Sequence, residues 1–207
     1  LYLEISEDEF KMTTTDGHCL AQVSTKKYTL PENKKWLLPR RAIFEVKKLL
    51  EGAPDGTIFL GICGNQLVFS GESFNFFSKL LADPFPQYAP ILNKEGFNGA
   101  TVDRSQLIKT LRRSSCLLSG QFIATNFGFE PERLNVSMQN KEVGKLQEAL
   151  PLHEFSGAKL DVRFYAPYLL SGLQAFSDDK LKFYLKNSSR PIIFETNTEQ
   201  SNLTYLV

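Results

Sequence analysis

The sequence predicts an α+β protein made of two copies of one building block. Three observations carry that expectation. Runs that alternate apolar and polar residues, broken at Gly, Asn and Asp, call for antiparallel strands. Stretches with apolar residues at helical spacing interrupt them. The same order of elements then recurs at an offset of about 124 positions, which sets Asp16 against Asn140.

Taken in order, residues 3–12 alternate around Ser6-Glu7-Asp8-Glu9, a strand, a turn and a strand. Asp16-Gly17 then separates the runs ending at Thr15 and beginning at Leu20. That is a hairpin signal, because glycine takes positive φ without a Cβ clash and aspartate tolerates the same region. From Leu38 to Leu50, Pro39 near the first turn and Ala42, Ile43, Val46, Leu49 and Leu50 on one stripe predict a helix stopped at Gly52. A hairpin follows, Ile58 to Ile62 and Leu67 to Phe69 about Gly64-Asn65, and then a strand from Phe74 to Leu80. Pro84, Pro86 and Pro90 make residues 81–90 a rigid linker.

The second copy repeats the pattern. It opens with a helix from Asp103 to Arg113, Asp103 serving as N-cap and Leu107, Ile108 and Leu111 forming one face. Phe127 to Met138 alternates around a turn at Glu130-Pro131-Glu132-Arg133. A helix from Phe164 to Phe176 carries Tyr168, Leu169, Leu173 and Phe176 on its stripe. Leu181 to Leu185 and Ile192 to Phe194 form the hairpin, and Leu203 to Val207 the last strand. The expected domains are residues 1–97 and 98–207. The opening helix has its counterpart before residue 1 and the last strand ends on Val207, so the expectation is a first domain incomplete at its N-terminus and a second lacking its tail.

Bulk properties exclude several function classes. The chain of 207 residues is 42% hydrophobic and 23% charged, as in ordinary soluble domains. No apolar run approaches the roughly 18 residues of a membrane span and no signal segment is seen, so a cytoplasmic protein with no membrane partner is expected. Cys19, Cys63 and Cys116 lack C-x-x-C spacing, which argues against a disulfide framework or a zinc site. A net charge of +1 argues against tight wrapping of nucleic acid through many phosphate contacts. His18 and His153 stand without a nucleophile signature, and the carboxylates at Glu7-Asp8-Glu9 and Asp178-Asp179 sit in turns. No catalysis, no cofactor and no metal are expected.

Four motifs carry a resemblance: T-D-G-H at 15–18, L-P-R-R at 38–41, F-x-S-K-L-L-A-D-P-F-P-Q-Y at 76–88, and the ending Tyr205-Leu206-Val207. Together they resemble the bacterial DNA polymerase III beta subunit, the sliding-clamp family, over most of its middle domain and its C-terminal domain. The resemblance implies repeated clamp domains, with helices on an inner face and antiparallel sheets on an outer one. It implies a homodimer, when full length, that closes a ring on duplex DNA and slides without reading sequence. Such a ring is a processivity factor, a non-catalytic subunit of a DNA-directed DNA polymerase holoenzyme in the bacterial cytoplasm. Its partners would be the replicative polymerase alpha subunit, the clamp loader, repair polymerases, mismatch-repair proteins and ligase, which dock through short peptides.

Carried over position by position, the resemblance implies two sites. The walls of the peptide pocket would be Thr15, Gly17, His18, Cys19 and Leu20, with Pro86, Pro90 and Ile91. Tyr165, Tyr168, Ser189, Pro191, Leu206 and Val207 would complete them. Cys19 and Pro90 stand where many relatives carry arginine, and the family's Met-Pro-x-Arg tail would begin just after Val207. Two buried apolar anchors of about 1.5–3 kcal/mol each, less the cost of ordering a peptide, point to about micromolar affinity. The DNA-facing residues would be Arg40, Arg41, Lys47 and Lys48 on the first helix and Arg104, Lys109, Arg112 and Arg113 on the opening helix of the second copy. Cys116-Leu117-Leu118 is expected at the head-to-tail edge, partly exposed in this chain. The alternative is a peptide-binding interaction scaffold with no DNA role, which the same duplicated block would also build.

Overall fold

A computed structural model describes residues 1–52 and 56–207 of the chain. These residues divide into two compact units. The first holds Leu1–Thr14 and Gln22–Gln87, the second Thr15–Ala21 and Tyr88–Val207, so the tip of the Asp16-Gly17 hairpin belongs to the second.

In the first unit β1 (Tyr2–Ile5) lies between two antiparallel neighbours, β2 (Phe10–Thr15) and β4 (Lys34–Leu37), with Leu3 opposite both Met12 and Trp36. β3 (Leu20–Thr25) completes the β2 hairpin, and Gln22 donates a side-chain hydrogen bond to Thr13 at 3.0 Å. α1 (Arg40–Glu51) starts with Pro39 at its N-cap, where a missing N–H costs nothing. Ala42 and Val46 point inward and the Gly52 N–H closes the last turn on the Lys48 carbonyl. β5 (Phe59–Cys63), β6 (Gln66–Ser70) and β7 (Asn75–Lys79) form a separate three-stranded sheet. Leu3, Leu38, Ala42, Val46, Leu67 and Phe69 make the core. Leu81 bonds to the Leu37 carbonyl and Phe85 stacks on Tyr2 at 4.7 Å, so this part of the proline-rich stretch is packed down.

The second unit is larger. β8 (Asn98–Asp103), β9 (Thr125–Glu130), β10 (Arg133–Asn140), β11 (Gly144–His153), β12 (Leu160–Phe164), β13 (Lys180–Leu185), β14 (Ile193–Asn197) and β15 (Asn202–Leu206) pair in the order β12-β9-β10-β11-β8-β13-β14-β15, antiparallel throughout. α2 (Arg104–Cys116) and α3 (Ala166–Leu173) bury Leu107, Ile108, Leu111, Leu169 and Leu173 in one core with Phe127, Phe129, Phe183 and Phe194. Asp103 caps α2 as its sequence predicts, accepting the Gln106 N–H at 2.7 Å.

The duplication is visible element by element. The series β1, β2, β3, β4, α1, β5, β6, β7 repeats as β9, β10, β11, β12, α3, β13, β14, β15. This is the α+β architecture that the sequence predicts, with three α-helices among the described residues. The helix expected over 164–176 is shorter, because Phe164 is drawn into β12 opposite Thr125. At the end of residues 81–90 a 3-10 turn begins, Ala89–Leu92. Leu118, expected at an exposed edge, is buried, while Cys116 beside it is exposed. No helix among the described residues is long and apolar enough to cross a membrane.

Candidate functional site: a notch beside the hairpin tip

The hairpin tip is a self-contained hydrogen-bonded turn. Asp16 Oδ1 accepts the N–H groups of His18 and Cys19 at 2.9 and 2.8 Å. Thr15 Oγ1 donates to the Cys19 carbonyl at 2.7 Å and accepts the Gly17 N–H at 3.1 Å. Gly17 sits at φ +88°, where a Cβ would be strained. The Cys19 N–H, followed by that of His18, holds the Asp16 carboxyl below the usual carboxylate range.

This turn pushes His18 outward and Leu20 inward. The His18 ring stacks on Tyr168 of α3, centroids 5.2 Å apart and 16° from parallel. Tyr168 meets Tyr165 edge-on at 5.0 Å. Leu20 is buried with Ile193 and Leu206, and Tyr88, Leu92, Phe97 and Tyr184 pack around them. Ile192 and Val207 exchange backbone hydrogen bonds at 3.0 and 3.2 Å, which brings Pro191 alongside the last strand. Ser189 is exposed, its N–H turned back on the Asn187 side chain. Pro90 and Ile91 are exposed on the 3-10 turn whose Leu92 packs on the Leu20 cluster. Pro86 falls in the first unit.

One ring escaped the sequence reading. Phe122 lies in a loop, 72% exposed, and stacks on Tyr165 at 4.3 Å. It extends the aromatic row to Phe122, Tyr165, Tyr168 and His18. Its only sequence signal is a large aromatic next to a Gly-Gln break, and nothing in that stretch names its partner.

The surface beside the turn is apolar and aromatic, polar only at the turn. That suits capture of apolar side chains rather than bond-making chemistry. Among the described residues no group of three His, Cys, Asp or Glu side chains could hold a metal ion. A cleft of about 220 Å³ in the first unit is lined by Glu4, Glu9, Lys11, Lys34 and Lys35. Its charges are spent on one another, Lys11 with Glu9 at 2.7 Å and Lys35 with Glu4 at 3.7 Å, so it is a solvated crevice.

The eight candidate cations differ in what engages them. Arg113 grips Glu148 with Nε at 2.5 Å and a terminal nitrogen at 2.7 Å, while Thr110 donates to the same carboxylate at 2.6 Å. Arg113 accordingly holds the Glu148 carboxyl low. Arg104 donates to the Asp178 carbonyl at 2.9 Å. Lys47 and Lys48 pair with Glu51 and Glu45 on their own helix, and Arg40 lies over the Phe44 ring at 5.4 Å. Arg41, Lys109 and Arg112 are exposed. Exposed helical pairs of this kind are weak and exchange readily.

Comparison with known proteins matches residues 1–87 to the family described as "DNA polymerase III beta subunit, central domain" and residues 90–207 to "DNA polymerase III beta subunit, C-terminal domain". The beta sliding clamp of Synechococcus elongatus is 27% identical over 212 residues, covering 100% of this chain and 56% of that protein. That of Bacillus subtilis is 22% identical, covering 96% and 53%. The crystal structure of the DNA polymerase sliding clamp from Pseudomonas aeruginosa superposes with a TM-score of 0.90 at 25% identity, covering 100% of this chain and 56% of that one. The chain thus spans about half the length of the relatives it matches.

Proposed function

The chain belongs to the DNA polymerase III beta subunit family, as its central and C-terminal domains, and on that premise we propose that it serves as part of a processivity clamp. The family is one of non-catalytic polymerase subunits, so the work is mechanical. The whole protein encircles duplex DNA as a head-to-tail homodimer in the bacterial cytoplasm and carries polymerases and repair proteins with it. Retention comes from topology, and the near-neutral charge keeps contacts with phosphate weak enough for sliding. Arg41, Lys109 and Arg112 are the cations best placed to meet phosphates, since Arg113 is engaged by Glu148.

Partners dock in the notch. The observation that carries this is that Thr15–Ala21, Tyr165, Tyr168 and Leu206 fall in one compact unit, with apolar floor and aromatic walls. A peptide with two apolar anchors fills the space above Leu20 and Leu206, and its ends meet the turn and the Tyr165–Tyr168 pair. Affinity of about micromolar order lets partners exchange.

Two measurements test the two halves. A fluorescent Gln-Leu-Ala-Leu-Phe peptide should bind the chain with about micromolar Kd, and absence of saturable binding would sink the pocket. The whole protein, loaded on nicked circular DNA, should be retained until the circle is cut. Equal loss from circular and linear DNA would leave an interaction scaffold without a DNA role.

A further inference from the structure

Before it joins β8, the chain from Tyr88 to Phe97 forms a strap on the second unit. Its side chains Tyr88, Leu92 and Phe97 pack against Leu20, Ile193 and Leu206, so it bounds the notch on one side. Two lysines hold it there. Lys94 Nζ donates to Glu195 Oε2 at 2.7 Å and stands 4.6 Å from the centroid of the Tyr184 ring, which packs on the same cluster. Lys186, just past the end of β13, donates to the Glu95 carbonyl at 3.1 Å. Gly96, at φ +72°, turns the strap so that Phe97 comes back onto the cluster. Within the strap the Ile91 N–H bonds to the Tyr88 carbonyl and the Phe97 N–H to the Lys94 carbonyl, each at 3.0 Å.

We infer that Lys94 is a positioning residue of the notch, its ion pair with Glu195 latching the strap to the sheet. Glu195 lies two residues beyond Ile193 on β14 and therefore on the same face. Lys94 lies two residues beyond Leu92. The latch thus closes next to the cluster in which Leu92 and Ile193 both pack. The two side chains are 36% and 18% exposed, so the bond is partly shielded from water and stronger than an open surface pair. Glu195 also stands opposite Lys182 in the β13–β14 ladder. Loss of Lys94 therefore leaves a cation beside the carboxylate and frees the strap without unfolding the unit. A latched strap holds Ile91 and Leu92 in place before a peptide arrives, and that wall need not be ordered on binding. The inference rests on the reading of the notch as the peptide site, but the latch itself is a property of the free protein.

The test uses Lys94→Met, which keeps the length of the stem and removes the charge, with Glu195→Gln, the double variant and Lys94→Arg. Peptide affinity is read with the Gln-Leu-Ala-Leu-Phe probe, and exchange of the Ile91 and Phe97 amide protons is read by NMR without peptide. Lys94→Met should weaken binding about 3- to 10-fold, the range between an open surface pair and a shielded charge-assisted bond. The double variant should lose no more than Lys94→Met alone, because both substitutions break one bond. In the free protein the Ile91 and Phe97 amides should exchange faster in Lys94→Met while the urea midpoint stays near that of the unaltered protein. Lys94→Arg, which can still reach the carboxylate, should restore both affinity and slow exchange. Unaltered affinity in Lys94→Met would overturn the inference, as would losses that simply add or a loss that Lys94→Arg does not repair. Failure of the unaltered protein to bind the probe would sink the peptide reading instead, and amide exchange in Lys94→Met would still decide the latch.

Discussion

β5 and β13 occupy equivalent places in the two copies, and their surroundings differ sharply. β13 is paired on both edges, to β8 and β14, and Leu181, Phe183 and Leu185 are buried. β5 is the edge of its sheet, paired to β6. Leu60 and Ile62 stand opposite the buried Phe69 and Leu67, yet they are 41% and 50% exposed. Phe44 and Leu50 of α1 are exposed as well, whereas Leu169 and Leu173 of α3 are buried beside α2. In the second unit β8 pairs with β13, and α2 shares one core with α3. A strand of the right composition is therefore not a buried strand until something lies beside it.

The two turns that the repeat sets against each other differ in the same way. Asp16 and Asn140 each accept the N–H two residues on, from His18 and Glu142, at 2.9 Å. Asn140 spends its amide on the Leu117 carbonyl at 2.7 Å and is buried. The Asp16 turn instead presents His18 to Tyr168 beside an open surface. One turn is a buried structural joint and the other carries an exposed ring stack.

Four outcomes would break or sharpen these contrasts. The largest is expected in the cores: Leu173→Ala should destabilise the second unit by about 2–5 kcal/mol, the cost of a fully buried leucine. Leu60→Ala in the first unit should cost less than about 1 kcal/mol, since that side chain is already half in water. Denaturant unfolding of both variants decides it, and equal losses would dissolve the contrast. Next, Tyr168→Ala should weaken the peptide probe about 10-fold or more through lost stacking and area, roughly 1.5–3 kcal/mol. Asn140→Ala, at the matching turn, should alter stability and leave the probe's Kd within twofold or so.

The third concerns acid. Arg113 holds Glu148 below its unfolded value, and backbone N–H groups do the same for Asp16. Each contributes stability that is complete above the unfolded carboxylate pKa and is lost as pH falls through the lowered folded value. Urea midpoints taken on the acid side should therefore fall less steeply with pH in Glu148→Gln and in Asp16→Asn. A slope identical to that of the unaltered protein would remove these two from the account. The smallest effect belongs to Lys47→Ala and Lys48→Ala, whose exposed pairs should change stability by no more than about 0.5 kcal/mol.

How much of this was legible beforehand follows from the range of each interaction. The Asp16-Gly17 turn, the Asp103 cap and the order of helices and hairpins were readable because their causes lie within a few residues. Of β12, Phe164 reads equally as the start of the helix that follows, because it fits both an alternating strand and a helical stripe. β4 was missed since Lys34 and Lys35 mask a four-residue strand. Phe122 and Tyr205 were out of reach, as the first finds Tyr165 and the second Tyr168 across 43 and 37 positions that no local pattern connects. Exposure of β5 was equally hidden, because Phe59-Leu60-Gly61-Ile62 reads as a core strand whether or not it has a neighbour.

The central claim is that the peptide site lies in the second compact unit at the Asp16 turn, and not at the Asn140 turn. Titrating the chain with Gln-Leu-Ala-Leu-Phe while following backbone and aromatic NMR signals tests it directly. The account predicts saturable shifts at His18, Leu20, Tyr168 and Leu206, with Asn140 to Gly144 unmoved. Shifts at Asn140 to Gly144 or along β5, with His18 and Tyr168 silent, would contradict it.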